Sequence, residues 1–233
     1  MIRIFIGYDD NEKVGFSTLS HSLLKHSTQP ISITPIRLQN IRDIFVRERV
    51  KIQSTEFAFS RFLVPYLCNY SGHAIFMDCD MLARADISKL WRQRTTKYAV
   101  QCVQHDYTPN STIKFMNQPQ TPYPKKNWSS MMLFNNAKCT TLTPDYVNSA
   151  TGLELHQYKW LENEELIGKI DEEWNWLVGE YEYNPNAKLV HYTLGTPCFH
   201  EFSNTGMAND WHQERLFTEY CQQRIDLLDD KSK

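Results

Sequence analysis

The sequence predicts an α/β protein built around a parallel sheet. The chain opens in the order strand, polar loop, helix, strand, which is how a parallel βαβ arrangement is written. A compact apolar run, Ala74 to Met77, then stops at the acidic triplet Asp78-Cys79-Asp80. That is the pattern of a buried strand whose carboxyl end delivers polar groups to a crevice, where ligands bind in open α/β sheets.

Each element has its own local reason. Arg3 to Gly7 is short and β-rich and reads as a buried first strand. After the polar loop Tyr8 to Lys13, the stretch Val14 to His26 carries Phe16, Leu19, Leu23 and Leu24 at helical spacing. Ile31 to Leu38 reads as a second strand, which Pro35 assigns to an edge or a bend because proline cannot donate to a ladder. Ser60 to Leu67 reads as a helix interrupted near Pro65. Asp86 is placed to cap a short helix through Trp91, and Tyr98 to Val103 and Ser130 to Phe134 read as further strands.

Gln104 to Asn127 contains Pro109, Pro119, Pro122 and Pro124 and little periodicity. An irregular stretch this long within a compact domain is usually functional or mobile. Thr143-Pro144 opens a helix with threonine as cap and proline in the first turn. Leu189 to Thr193 is a short late strand. Asp210 to Leu228 is the clearest helix: Asp210 with Gln213 resembles a capping box. Its Leu216, Phe217, Tyr220, Leu227 and Leu228 form a stripe expected to pack on the core.

Composition narrows the function classes. The 233 residues suit one domain, with 41% apolar and 22% charged residues, as in an ordinary globular protein. A formal charge of −2 gives no reason to expect nucleic acid or an acidic membrane as partner. None of the six cysteines forms a C-x-x-C pair, which argues against a zinc ribbon or a thioredoxin-like motif. The apolar run at Met1 to Gly7 is too short for a secretion signal, and no run reaches the ~18 residues of a membrane span. A cytoplasmic protein with reduced thiols is therefore expected. On that expectation the N-x-S/T triplets at Asn69, Asn110 and Asn127 carry no weight.

The central chemical feature is Ile75-Phe76-Met77-Asp78-Cys79-Asp80-Met81. Two carboxylates at the end of an apolar strand are costly beside a core unless a cation or donors meet them. A hard divalent ion meets them, with diphosphate oxygens to complete its shell; the alternative is a solvated turn. His191 follows a strand and precedes Gly195, and its imidazole, added to Asp78 and Asp80, points to Mn²⁺ or a similar ion such as Mg²⁺. The alternative is a structural or surface histidine. Tyr8-Asp9-Asp10-Asn11 follows the first strand and could read a nucleobase or ribose, or be a polar turn.

Taken in order, these pieces resemble the retaining glycosyltransferases of the glycogenin and galactosyltransferase type, family 8, over roughly Ile2 to Phe199. Asp9-Asp10-Asn11 resembles the uridine-binding start, and Ser60-Arg61-Phe62-Leu63-Val64-Pro65 the segment whose arginine reaches the donor. Asp78-Cys79-Asp80 resembles the metal-binding D-x-D. Asn127-Trp128-Ser129-Ser130 through Asn135 resembles the F-N-A-G-V-L-L-I-N segment, and His191 with Gly195 the late H-x-x-G-x-x-K-P-W motif. A further likeness is to small bacterial proteins known only as glycosyltransferases, through His105-Asp106-Tyr107-Thr108-Pro109 and Lys126-Asn127-Trp128-Ser129-Ser130.

The resemblance implies a GT-A fold, Rossmann-like, with a mixed, mostly parallel sheet in one domain over 1–233. Its donor-binding part would span about 1–103, its acceptor side about 104–200, and its C-terminal helix about 210–228. It implies sugar transfer with retention from a nucleotide-sugar, a UDP-sugar, to a saccharide or other hydroxyl acceptor. Tyr8, Asp9, Asn11, Arg61, Asp78 and Gly195 would hold the donor. Asp78, Asp80 and His191 would hold the metal, and His105, Asp106, Tyr107, Trp128 and Ser129 would meet the acceptor. The catalytic-side acidic position falls among Glu162, Asn163 and Glu164.

Departures from the family pattern keep rivals in view. Gly195 is followed by Thr196-Pro197-Cys198-Phe199, so the lysine expected to contact the diphosphate is missing, as is the tryptophan. A nucleotide- or carbohydrate-binding protein that has lost catalysis is one rival. A D-x-D phosphohydrolase of the haloacid dehalogenase type is the other, although its pattern normally lies near the N-terminus and continues with Thr or Val, not Met81.

Overall fold

The computed structural model describes residues 1–48, 55–109 and 123–219, and the backbone pairing of 113–114 with 118–119. The main sheet begins with β1 (Ile2–Gly7), which α1 (Lys13–His26) connects to β2 (Ile31–Ile36), parallel to it in the register Ile4 to Ile33. A tight 3-10 turn at Ser60–Leu63 and α2 (Val64–Leu67) lead into β3 (His73–Met77). Pro65 sits in the first turn of α2, where a missing N–H costs nothing, so the proline starts that helix rather than interrupting one.

β4 (Met81–Ala83), α3 (Ile87–Trp91) and β5 (Val100–Val103) follow. The short pair β6 (Ile113–Lys114) and β7 (Gln118–Pro119) falls within the proline-rich stretch. Next come β8 (Met131–Asn135), α4 (Pro144–Ser149), α5 (Gly152–His156) and β9 (Ile167–Ile170). The described chain closes with β10 (Trp176–Leu177), β11 (Leu189–His191) and α6 (Ala208–Glu219).

The six-stranded sheet has the order β2-β1-β3-β8-β5-β9. β8 runs antiparallel to both β3 and β5, and the remaining pairs are parallel. The carboxyl ends of β1, β3, β5 and β9 therefore open on the same side as the amino end of β8. Pro35 lies on the edge strand β2, opposite Ile6, where a missing donor is harmless. Ile4, Ile6, Ile75, Phe76, Leu133 and Phe134 are buried in the core of this sheet.

A second sheet, β10-β11-β4, brings distant segments together. β11 pairs antiparallel with β4 so that His191 faces Met81, next to Asp80. A smaller core of Leu82, Val178, Val190, Tyr192 and Trp211 backs it. Among the described residues no helix is long and apolar enough to cross a membrane.

The last helix departs from its sequence reading. It starts at Ala208, so Asp210 lies inside its first turn and forms no capping box with Gln213. The Asp210 carboxylate instead pairs with Arg84 at 2.9 Å. The inward residues are Ala208, Trp211 and Glu214, while Leu216 is 40% exposed. The reason is a polar seam with α1: buried Glu214 accepts from Lys25 Nζ at 2.8 Å and meets His21. Phe217 stacks on His21. Tyr220, Leu227 and Leu228 of the expected stripe lie outside the described residues.

Candidate active site

Asp78 is the first residue beyond β3, and its N–H donates to Ser130 O at 2.9 Å, extending the β3–β8 pairing by one step. Asp80 follows just before β4, and its carbonyl accepts from the N–H of Tyr192 at 2.9 Å. These two backbone bonds set the carboxylates at the sheet opening and bring the end of β11 to them. One ligand atom from each of Asp78, Asp80 and His191 lies within 4.8 Å of the others. These three side chains would together hold a divalent ion.

The donor set fits a cation. Asp78 Oδ1 and Asp80 Oδ1 are both buried and accept no hydrogen bond. Arg61 Nη1 forms an ion pair with the former at 2.8 Å. His191 Nε2 lies 3.3 Å from Asp80 Oδ1, while its Nδ1 lies 2.9 Å from Oδ1 of the fully buried Asn175. The amide nitrogen of Asn175 donates to Ser130 Oγ at 2.8 Å and to Asn127 O at 3.3 Å. Its oxygen is thereby turned toward His191 and accepts from Nδ1–H. This leaves Nε2 facing the Asp80 carboxylate, the orientation in which the histidine would serve as a metal ligand with its other nitrogen held by a neighbouring acceptor.

The electrostatics reflect burial. Removal from water pushes the Asp78 carboxyl up to about 7; the Arg61 guanidinium opposes this shift and the nearby Asp80 adds to it. Glu12, in the turn before α1, is only 2% exposed and is pushed well above the usual carboxylate range, first by burial and then by Asp80, Asp9 and Asp78. Cys79 Sγ donates to Glu12 Oε2 at 3.8 Å. These groups border a cavity of about 130 Å³ whose lining includes Arg61, Asp78, Asp80, Lys126, His191 and Gly195. Gly195 has a further reason to be glycine. Its φ is +148°, and a Cβ there would meet the Phe202 ring at 2.3 Å.

The other expected residues are distributed around this centre. Asp9 is buried and accepts from Asn11 N, Asn11 Nδ2 and Glu56 N at 2.9, 2.9 and 3.0 Å, so its carboxylate ties the first loop together. Tyr8 packs edge-on against Phe16, and Tyr8, Asp9 and Asn11 stand outside the lining of the metal-ligand cavity. Ser129 lines that cavity, with its Oγ 2.7 Å from His156 Nδ1. Trp128 Nε1 donates to His105 O at 2.8 Å.

His105 and Asp106 border a separate cleft of about 520 Å³ at the carboxyl ends of β5 and β9, with Lys169, Asp171, Glu172 and Tyr181. His105 Nδ1 lies 2.8 Å from Tyr181 OH, and Nε2 is buried without a partner. Burial, then the nearby His191, pushes His105 down to about 3. Tyr107 OH accepts from Asn127 Nδ2 at 2.6 Å. Glu162, Asn163 and Glu164 are exposed and outside the cavity lining. Asn163 caps a short 3-10 turn, and Glu164 pairs with Lys125 at 2.6 Å. Asn175, Glu12 and Tyr123 belong to this neighbourhood without standing in a local pattern that marks them, and Lys126 joins them from the Lys126-Asn127-Trp128-Ser129-Ser130 segment, where the sequence assigns it no role.

The mixed sheet with an acidic pair at the end of β3 is the GT-A fold of glycosyltransferases. The chain superposes on the WbbM bifunctional glycosyltransferase with a TM-score of 0.63 at 14% identity, over 92% of this chain and 49% of that one. It superposes on the glycosyltransferase GlyE of Streptococcus pneumoniae with a TM-score of 0.60 at 15% identity, over 92% of this chain and 60% of that one. For the galactosyltransferase LgtC, crystallised with donor and acceptor sugar analogues, the values are 0.55 and 12%, over 92% and 95% of the two chains. At such identities the likeness is one of fold. No family model matches the chain. In sequence, it is 46% identical to Protein CDI of Arabidopsis thaliana over 221 residues, 91% of this chain and 85% of that protein, and it belongs to the Protein CDI family.

Proposed function

We propose that this protein is a metal-dependent glycosyltransferase that moves a sugar from a nucleotide-sugar, a UDP-sugar, to a saccharide or other hydroxyl acceptor. The observation that carries the reading is the Asp78, Asp80 and His191 set. Its two buried carboxylate oxygens and oriented imidazole stand at the sheet opening of a GT-A fold. Mn²⁺ or Mg²⁺ held there would supply Lewis-acid neutralisation of the leaving diphosphate. Arg61 holds a fixed positive charge against Asp78. Asn175 keeps Nε2 of His191 turned to the ligand set.

In the transfer, the bond from the sugar's anomeric carbon to the diphosphate oxygen breaks, and its electron pair stays on that oxygen. The acceptor oxygen bonds to the same carbon and its proton passes to the departing diphosphate oxygen, which retains configuration through front-face attack. The cleft beside His105, Asp106 and Tyr107 is the acceptor side in this reading, supported by its polar and aromatic walls near His191. A cytoplasmic setting belongs to the same proposal and rests on the free cysteines among the described residues.

Calorimetry tests the reading. UDP should bind more tightly with Mn²⁺ than without it, and Asp80→Asn should lose this linkage while its unfolding profile stays native. Equal UDP affinity in Asp80→Asn and the native protein would remove the metal role. Turnover of a simple phosphate ester without nucleotide would favour a phosphohydrolase.

A further inference from the structure

We propose that the cleft at the carboxyl ends of β5 and β9 binds a sugar carrying a free amino group, and that the acceptor is such an amino sugar; the acceptor role rests on the nucleotide-sugar reading above. The cleft measures about 520 Å³, a size that suits a small saccharide. Its charge is one-sided. Asp106, Asp171, Glu172 and Glu173 line it, with Lys169 as the cation among the described lining residues. Glu173 pairs with Lys188. Four carboxylates against the ammonium groups of Lys169 and Lys188 leave an excess of two negative charges in this set. The field reaches the Tyr181 hydroxyl. Burial pushes that group up to about 12, and Glu172, Glu180 and Asp106 add to the shift.

An acidic rim alone is an ordinary solvated surface; the wall beside it makes this one a site. His105 lines the cleft and is only 7% exposed. Its Nδ1 lies 2.8 Å from Tyr181 OH, and its Nε2 is buried without a hydrogen-bond partner. A buried polar nitrogen is costly to leave unmet. A sugar hydroxyl meets it in either tautomer, because a hydroxyl both donates and accepts. Burial, which pushes His105 down to about 3, keeps the imidazole neutral, so it brings no positive charge of its own. Trp176 and Tyr107 pack on Tyr181 with ring centres 5.1 and 5.9 Å away and hold that ring in place. A fixed aromatic ring among carboxylates suits an ammonium group, through the ring quadrupole and through charge.

These features select among acceptors. The carboxylates favour a cationic sugar and repel a phosphorylated or carboxylated one. The neutral imidazole and the phenol suit hydroxyl groups, which a basic peptide side chain does not offer. His191 lies within electrostatic reach of His105, so a ligand in the cleft stands beside the metal-ligand set.

The test is an amide NMR titration of the native protein with glucosamine, N-acetylglucosamine and glucose, at a slightly acidic pH that keeps the amine protonated. Acetylation removes the charge and keeps the ring, so the comparison isolates the ammonium group. Nα-acetyl-lysine amide serves as an amine without sugar hydroxyls. A hydrogen bond to a charged group corresponds to about tenfold in affinity. Glucosamine should therefore bind about tenfold more tightly than the other two sugars. The double variant Asp171→Asn with Glu172→Gln should lose most of that advantage. Both residues are exposed and Asp171 makes no side-chain cap bond, so the variant should keep a native thermal unfolding profile. Absent or equal binding of the three sugars overturns the proposal, and so does an advantage that survives in the folded double variant. Lysine amide binding as tightly as glucosamine overturns the amino sugar in favour of a basic peptide. Carboxylate-dependent glucosamine binding in a protein that shows no Mn²⁺-linked UDP binding leaves the amino-sugar site standing and removes the nucleotide-sugar reading, and with it the acceptor role.

Discussion

Asn175 Oδ1 lies 2.9 Å from His191 Nδ1 and so turns the other ring nitrogen, Nε2, toward Asp80 at 3.3 Å. The residue scale is therefore where the metal reading is most exposed to test. Removing a partner that orients a metal-bound histidine typically costs 10–100-fold in affinity. Asn175→Ala should weaken Mn²⁺ binding by about that factor, read by electron paramagnetic resonance titration, with Asp78 and Asp80 untouched. His105 makes a separate prediction. Its folded pKa is about 3 against an ordinary value of 6.5, so between these pH values the unfolded chain binds the extra proton. Stability is therefore lost as pH falls through that window. His105→Gln, which cannot titrate, should show a shallower fall in urea midpoint between pH 6.5 and 3.

At the scale of elements, short helices are started by side chains that accept from the first turn. Asp86 accepts from Ser88 N, Thr143 from Tyr146 N, and Thr151 and Glu154 form a reciprocal capping box. Asp86 and Thr143 stand out in the sequence because each precedes an apolar or proline-led start, and Thr151 and Glu154 stand at the T-x-x-E spacing of the box itself. Gly195 joins β11 to the turn at Phe202 through a conformation and a contact that both exclude a side chain. Gly195→Ala should destabilise the protein by about 1–3 kcal/mol. Gly206→Ala, where a Cβ would sit 3.4 Å from Val178, should be close to neutral. Chemical denaturation of the two variants side by side measures the difference.

For the whole molecule, function depends on two sheets converging. β8, inserted antiparallel between β3 and β5, brings Ser129 and Ser130 to the opening where β3 ends. The smaller sheet brings His191 to the same place. A ligand that binds across this junction stabilises the folded state by mass action, about 2.7 kcal/mol at a hundredfold excess over its dissociation constant. In a chain of this size that raises the melting temperature by on the order of 5–10 °C. UDP and Mn²⁺ together should produce such a shift, and each alone a smaller one. Equal shifts for Mn²⁺ alone and for Mn²⁺ with UDP would separate the metal site from any nucleotide.

What the sequence determined by itself is what short-range order encodes. An apolar run ending in two carboxylates reads as a buried strand with a polar tip, and the opening strand, helix and strand read as a parallel unit, because both patterns lie within a few residues. His191 entered through the order of motifs, since nothing local distinguishes a ligand histidine from a structural one. The tertiary structure alone decided the rest. Asn175 has a role only because β11 pairs with β4 and brings His191 within reach of its amide. Lys126 and Glu12 come together because separate turns close on one cavity. The last helix turns Glu214 inward and leaves Leu216 exposed because His21 and Lys25 on α1 supply partners for a buried carboxylate. A hydrophobic pattern records what water excludes; it does not record which charge will find its counterpart on a distant segment.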